Sequence, residues 1–207
     1  MLDNVSWLGH STIKISKDKI IYIDPYNIKE SYNDADIIFV THNHYDHFSI
    51  EDIKKCMNDN TKLVVTKDLY QNTLKLFEKN NITTVLPNNN YNIENINFST
   101  IPSYNINKNF HPKGNNWVGY IINIDNIIYY IAGDTDITNE AKKVKCDVAF
   151  LPIGGTFTMD YKEAATLANI IKPKIVIPIH YGTLVGTKED AINFKANIND
   201  YIKCDFL

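Results

Sequence analysis

Ile37-Ile38-Phe39-Val40-Thr41-His42-Asn43-His44-Tyr45-Asp46-His47 joins a short apolar run to a cluster of ionisable side chains. The run Ile37 to Thr41 has the continuous apolar character of a buried strand. His42 and His44 are two positions apart, so in extended chain their side chains point the same way. Two imidazoles can then converge on one ion. Asp46 continues in that direction, and His47 can turn the other way where a helix starts. Imidazole and carboxylate together suit zinc, and also iron or manganese. H-x-H alone is a weak signal. H-x-H-x-D-H directly after an apolar strand is a specific one.

Outward from this segment, strands and helices alternate. Val5 to Ile15 and Ile20 to Asp24 read as β-structure, with a hairpin turn at Lys17-Asp18-Lys19. Ser49 can cap a helix, with Asp52 three residues on. Leu63 to Thr66 reads as a strand, Asp68 to Asn80 as a helix, and Thr83 to Leu86 as a strand again. Asn88-Asn89-Asn90 reads as a turn. Ile96 to Tyr104, Trp117 to Ile124 and Ile127 to Ala132 read as strands, the last two joined by a tight turn at Asp125-Asn126. Val148 to Leu151 and Ile175 to Ile179 are further strands, and Tyr161 to Ile171 and Glu189 to Ile198 are helices. Interleaved β-runs and helices in two similar halves suit two packed sheets with helices outside. No linker divides the chain, so a single domain over 1–207 is expected.

Two further segments place chemistry at strand ends, where sites are commonly built. Ala132-Gly133-Asp134-Thr135-Asp136 follows one strand, and Ile177-Pro178-Ile179-His180-Tyr181-Gly182 carries a histidine at the end of another. Either alone reads first as a turn or a structural histidine. Together with the segment around His42 they supply ligands for two ions. Asp24 ends an early strand before Pro25. It reads either as a turn residue or as a carboxylate that fixes a ligand histidine through its other ring nitrogen.

Composition narrows the function classes. The 207 residues are 44% hydrophobic and 22% charged, as in ordinary soluble globular proteins. The net charge is -3 and the chain has no arginine, so bidentate phosphate recognition and a broad pull on nucleic acid are both excluded. Cys56, Cys146 and Cys204 are odd in number and form no C-x-x-C pair, against a disulfide framework or a cysteine zinc site. No signal peptide or membrane-spanning run is evident, so a cytoplasmic protein is expected.

These residues resemble the metallo-β-lactamase-fold superfamily. His42-Asn43-His44-Tyr45-Asp46-His47 matches its H-x-H-x-D-H signature, and Asp24, Asp134 and His180 fall in the order of three further motifs. Gly9-His10-Ser11, Pro152-Ile153-Gly154-Gly155 and His180-Tyr181-Gly182 look like the small metal-dependent hydrolases related to ascorbate-6-phosphate lactonase. The resemblance covers nearly the whole chain. It implies an α+β fold, a four-layer αββα sandwich. It also implies that His42 and His44 hold a first metal, that Asp46, His47 and His180 hold a second, and that Asp134 bridges them. In many relatives a histidine near the position of Asn105 completes the first site. Here either His111 reaches in as the replacement, the preferred reading, or Asn105 stands there and the site is weak.

The function expected from the resemblance is hydrolysis of an ester-type bond, a lactone or a phosphodiester, in a small molecule by a metal-bound hydroxide. Asp46 would orient the nucleophile or take its proton. His10 would sit near the substrate or serve structure. Two divalent ions are expected, zinc first, with manganese, nickel or iron as alternatives. Three rivals are a redox protein on the same fold, an RNA-processing nuclease and a non-catalytic metal-binding protein. Redox relatives usually carry Glu where His44 stands.

Overall fold

A computed structural model describes residues 1–207. The chain forms two compact units, residues 2–86 and residues 87–207 with Met1.

Residues 2–86 build a six-stranded sheet whose strands lie in sequence order. β1 (Val5–Gly9), β2 (Thr12–Ser16) and β3 (Ile20–Ile23) form an antiparallel meander. β4 (Ala35–Phe39), β5 (Met57–Thr66) and β6 (Ile82–Val85) then add in parallel, each beside its predecessor. Helix α1 (Ile50–Cys56) makes the crossover from β4 to β5. Ser49 caps it by accepting from the Asp52 amide. Ile38, Val40, Leu63 and Val65 share one sheet face and pack with Ile53 and Cys56 of α1. Ile37, Phe39 and Val64, on the alternate positions, are equally buried. Near-continuous apolar runs of this kind belong to parallel strands buried on both faces.

One expectation for this unit is refined and one needs correction. The run Val5 to Ile15 is β-structure, divided into two strands. Gly9 and His10 adopt φ of 111° and 49°, and this left-handed turn folds β2 back on β1. The helix expected over Asp68 to Asn80 shrinks to α2 (Tyr70–Thr73), flanked by single 3-10 turns at Lys67–Leu69 and Lys79–Asn81. The Thr73 hydroxyl donates to the Tyr70 carbonyl at 2.7 Å, and the Thr73 carbonyl takes the amides of both Leu76 and Phe77. Such local hydroxyl-to-backbone bonds compete with helix propagation.

Residues 87–207 build a seven-stranded sheet. β7 (Asn90–Ile93), β8 (Ile96–Pro102), β9 (Val118–Ile124) and β10 (Ile127–Ile131) form an antiparallel meander. Asp125 and Asn126 both have positive φ, as the two-residue turn between β9 and β10 requires. Asn90 opens β7, so the asparagine cluster is only partly turn. β11 (Val148–Pro152), β12 (Ile175–Ile179) and the short β13 (Lys203–Cys204) extend the sheet in parallel. α3 (Tyr161–Ile171) links β11 to β12, and α4 (Lys188–Ala196) follows β12. Both helices open on complete capping boxes, Asp160 with Glu163 and Thr187 with Asp190. Ala164, Ala165, Leu167, Ala168 and Ile171 form the buried stripe of α3, at the spacing of one helix face.

Candidate metal centre

Each unit gathers one set of ligands. In residues 2–86 the set grows from the end of β4. The Val40 amide still bonds to the Val64 carbonyl, and the chain then leaves the sheet with Thr41 and His42. Asp24 stands just beyond β3 with φ 46°, and its own amide bonds to the Phe39 carbonyl. Its buried carboxylate accepts from the Thr41 amide at 2.8 Å, from Thr41 Oγ1 at 2.7 Å and from His47 Nδ1 at 2.7 Å.

This network assigns the ring protons. An ionised carboxylate only accepts, so His47 Nδ1 carries a proton, and Nε2 is the ring nitrogen that can hold an ion. Thr41 gives its one hydroxyl proton to Asp24 and therefore accepts from His42 Nδ1 at 2.9 Å. His42 Nε2, the nitrogen left for an ion, lies 3.1 Å from His44 Nδ1. His47 Nε2 faces Asp46 Oδ2 at 3.7 Å. His10 Nε2 lies 2.8 Å from that same oxygen. The ligand atoms of His10, Asp46 and His47 all lie within 4.8 Å of one another. Burial, followed by the neighbouring Tyr45, Asp46 and Asp52, pushes the Tyr26 phenol above its ordinary value, so it stays protonated. Its ring packs edge-on to His10.

In residues 87–207 the set centres on Asp134, past the end of β10 and after Gly133 with φ 64°. Asp134 Oδ2 lies 3.3 Å from His111 Nε2 and 3.2 Å from His180 Nε2. All three side chains are buried. His180 follows β12 at φ 59°. His111 sits in the long loop between β8 and β9, and its Nδ1 lies 2.9 Å from Asn105 Oδ1. Asn105 Nδ2 donates to Asp136 Oδ1 at 3.1 Å and to the Phe157 carbonyl at 2.9 Å. The Asn105 amide is thus turned to His111, Asp136 and Phe157, while His111 Nε2 is turned to Asp134.

The donors fit a divalent cation. Imidazole nitrogens and carboxylate oxygens converge at largely buried positions, which concentrates donors that a divalent cation can take. The mixed nitrogen and oxygen set is one that zinc, manganese and iron accept. No cysteine takes part, and all three cysteines are free. Burial raises the Cys56 and Cys146 thiols to about 12, so both are inert at neutral pH.

Two participants had no role assigned on sequence grounds. Thr41 links Asp24 to His42. Asp136 accepts from Asn105, from the Ile106 amide at 2.8 Å and from Lys108 Nζ at 2.5 Å. The one sequence signal was position: Thr41 directly precedes the first histidine, and Asp136 lies two residues after Asp134.

Comparison with known proteins agrees with this reading. The β-lactamase superfamily domain matches residues 4–180. A UPF0173 metal-dependent hydrolase of Nanoarchaeum equitans is 35% identical over 92% of this chain and 89% of its own. Another from Thermococcus onnurineus is 31% identical over 95% of this chain and 92% of its own. A crystal structure from Parabacteroides distasonis, provisionally described as a metal-dependent hydrolase, is 26% identical. It matches with a TM-score of 0.81 over 98% of this chain and 91% of its own. The fold is accordingly the α+β sandwich of that superfamily. No helix is long and apolar enough to cross a membrane. The chain is therefore an enzyme of the metallo-β-lactamase superfamily, a metal-dependent hydrolase.

Proposed function

We propose that the protein cleaves an ester-type bond, a lactone or a phosphodiester, in a small molecule at a two-ion centre. In the motif order of the superfamily, His42, His44 and His111 take one ion. Asp46, His47 and His180 take the other, and Asp134 serves both. One observation carries this reading. The Nε2 atoms of His111 and His180 lie 3.3 and 3.2 Å from the same Asp134 oxygen, as suits one carboxylate shared between two ions. Zinc is the proposed metal, and manganese, nickel or iron could occupy the same donors.

When bound, the ions lower the pKa of a water molecule and polarise the substrate oxygen. The chain's own residues do the rest. Asp46 takes the proton from the attacking water. His10 donates Nε2–H to Asp46 Oδ2 and so fixes the turn of that carboxylate. Asp24 and Thr41 hold the His47 and His42 rings with Nε2 available. The arginine-free chain with net charge -3 favours a small-molecule substrate over nucleic acid. Free, partly or fully buried thiols suit a cytoplasmic setting.

The test is turnover by protein stripped with chelator and reloaded with zinc or manganese. Panels of lactones, phosphodiesters, thioesters and amides are compared. Metal-dependent cleavage of a lactone or phosphodiester is expected. Cleavage confined to thioesters or amides, or no metal uptake, overturns the reading.

A further inference from the structure

We infer that Lys108, Asp136 and Asn105 form a positioning relay that holds His111 in its metal-ready tautomer and makes the two ions unequal in affinity. The inference rests on the assignment of His111 as a ligand.

The relay begins with an amide whose orientation is fixed at both ends. Asn105 Nδ2 meets two groups that only accept, the Asp136 carboxylate at 3.1 Å and the Phe157 carbonyl at 2.9 Å. Asn105 Oδ1 meets the His111 backbone amide, which only donates, at 3.1 Å. Flipping the amide would break all three contacts. Oδ1 therefore faces His111 Nδ1 at 2.9 Å as an acceptor, and the ring must place its proton there. His111 Nε2, which faces Asp134 at 3.3 Å, is then the nitrogen that can hold an ion.

Asp136 keeps Asn105 in place. It is 5% exposed, and its charge is matched by Lys108 Nζ at 2.5 Å. Its second oxygen takes the Ile106 amide at 2.8 Å, and its own amide bonds to the Tyr104 carbonyl. The loop that carries Asn105 is thus closed onto Asp136 through backbone and side chain together. Glu163 at 3.7 Å gives Lys108 a second acidic neighbour.

The two supports differ in charge. His47 is backed directly by the Asp24 carboxylate, whereas His111 is backed by a neutral amide. A carboxylate partner raises the basicity of an imidazole ligand more than an amide does. The ion served by His111 is therefore the weaker of the two, and the relay sets how weak.

Zinc titration of the chelator-stripped full chain tests this, with a competing indicator to resolve two affinities. The apoprotein fold is checked by circular dichroism, and the ring protons are read from histidine 15N shifts. Wild type should take two ions of unequal affinity, with His111 protonated at Nδ1 before metal is added. Asn105→Leu and Asp136→Ala should weaken the looser ion by about 10- to 100-fold and leave the tighter ion unchanged. Lys108→Met, which keeps the Asn105–His111 bond, should weaken it by only a few-fold and covers the case in which the harsher variants do not fold. Unchanged affinities in folded variants, or a His111 proton on Nε2, overturn the relay. Failure of wild type to bind any zinc overturns the metal-centre reading itself.

Discussion

Asp24 Oδ2 lies 2.7 Å from both His47 Nδ1 and Thr41 Oγ1, so one carboxylate oxygen supports two histidines, His47 directly and His42 through Thr41. Removing it frees two rings at once. Asp24→Ala should lower zinc affinity by about 10- to 100-fold, the usual effect of losing a histidine's hydrogen-bond partner. Thr41→Val should act mainly through His42 and cost less. Zinc competition with a chromophoric chelator measures both. Equal affinity in Asp24→Ala and wild type would sink this account of the support.

Asp46 is expected to separate chemistry from folding. It is 9% exposed and touches His10 and His47, with no part in any sheet or helix cap. Asp46→Asn should reduce kcat by roughly 10²- to 10⁴-fold, the range for a lost general base. Circular dichroism and the apoprotein Tm should stay close to wild type. His10→Ala should give a smaller loss, because the carboxylate remains but is less well held. If Asp46→Asn retains full turnover with full metal content, the proton-accepting role is wrong.

The sequence made the ligand types legible because they follow strand ends, where the period-two pattern stops and chemistry begins. His42, Asp134 and His180 each lie just past a strand, at β4, β10 and β12. Helix α3 and strand β12 also follow their sequence reading to the residue, since a complete capping box and a five-residue apolar run mark them locally. What escaped depends on contacts distant in sequence. The turn at Gly9-His10 that splits the first strand is a left-handed backbone choice that β-branched neighbours conceal. The short α2 ends through a hydroxyl contact, which helix periodicity does not register. Asn105 looked like a failed ligand. Its amide serves His111, six residues on, and Asp136, 31 residues on, and no local pattern encodes such a bridge.

Gly154 shows how tightly the His180 turn is packed. A Cβ built there would stand 2.6 Å from Val185 Cγ2, 2.7 Å from the His180 carbonyl oxygen and 2.9 Å from His180 Nδ1. Val185 could yield, but the backbone oxygen and the ring could do so only by moving the ligand. Gly154→Ala should cost about 1–3 kcal/mol of stability by overpacking. It should also weaken zinc binding, although Gly154 donates no ligand atom. Urea unfolding and zinc titration of the same variant test the pair of effects. Lost stability with untouched zinc affinity would show that the turn relaxes without displacing His180.

Asp52 supplies an acid-sensitive tie between α1 and the loop that follows Asp24. Its carboxylate accepts from the Asn27 and Ile28 amides at 2.9 and 3.0 Å, from Ser49 Oγ and from Lys55 Nζ. Burial alone would raise its pKa. The bonds from Ser49, Lys55 and the two amides outweigh burial and hold it below the ordinary carboxylate value. With the folded pKa depressed, the unfolded chain binds the proton more tightly. Asp52 therefore adds stability at pH above the unfolded carboxylate value, near 4, and loses it as pH falls through the lower folded value. Asp52→Ala should cost about 2–3 kcal/mol at pH 7, because it strands donors at a buried site. By about pH 3 the difference from wild type should shrink as the wild-type carboxyl takes up its proton. Urea unfolding of metal-stripped protein at both pH values measures this without interference from metal loss. A gap that stays the same at low pH would show that the tie does not depend on the charge of Asp52.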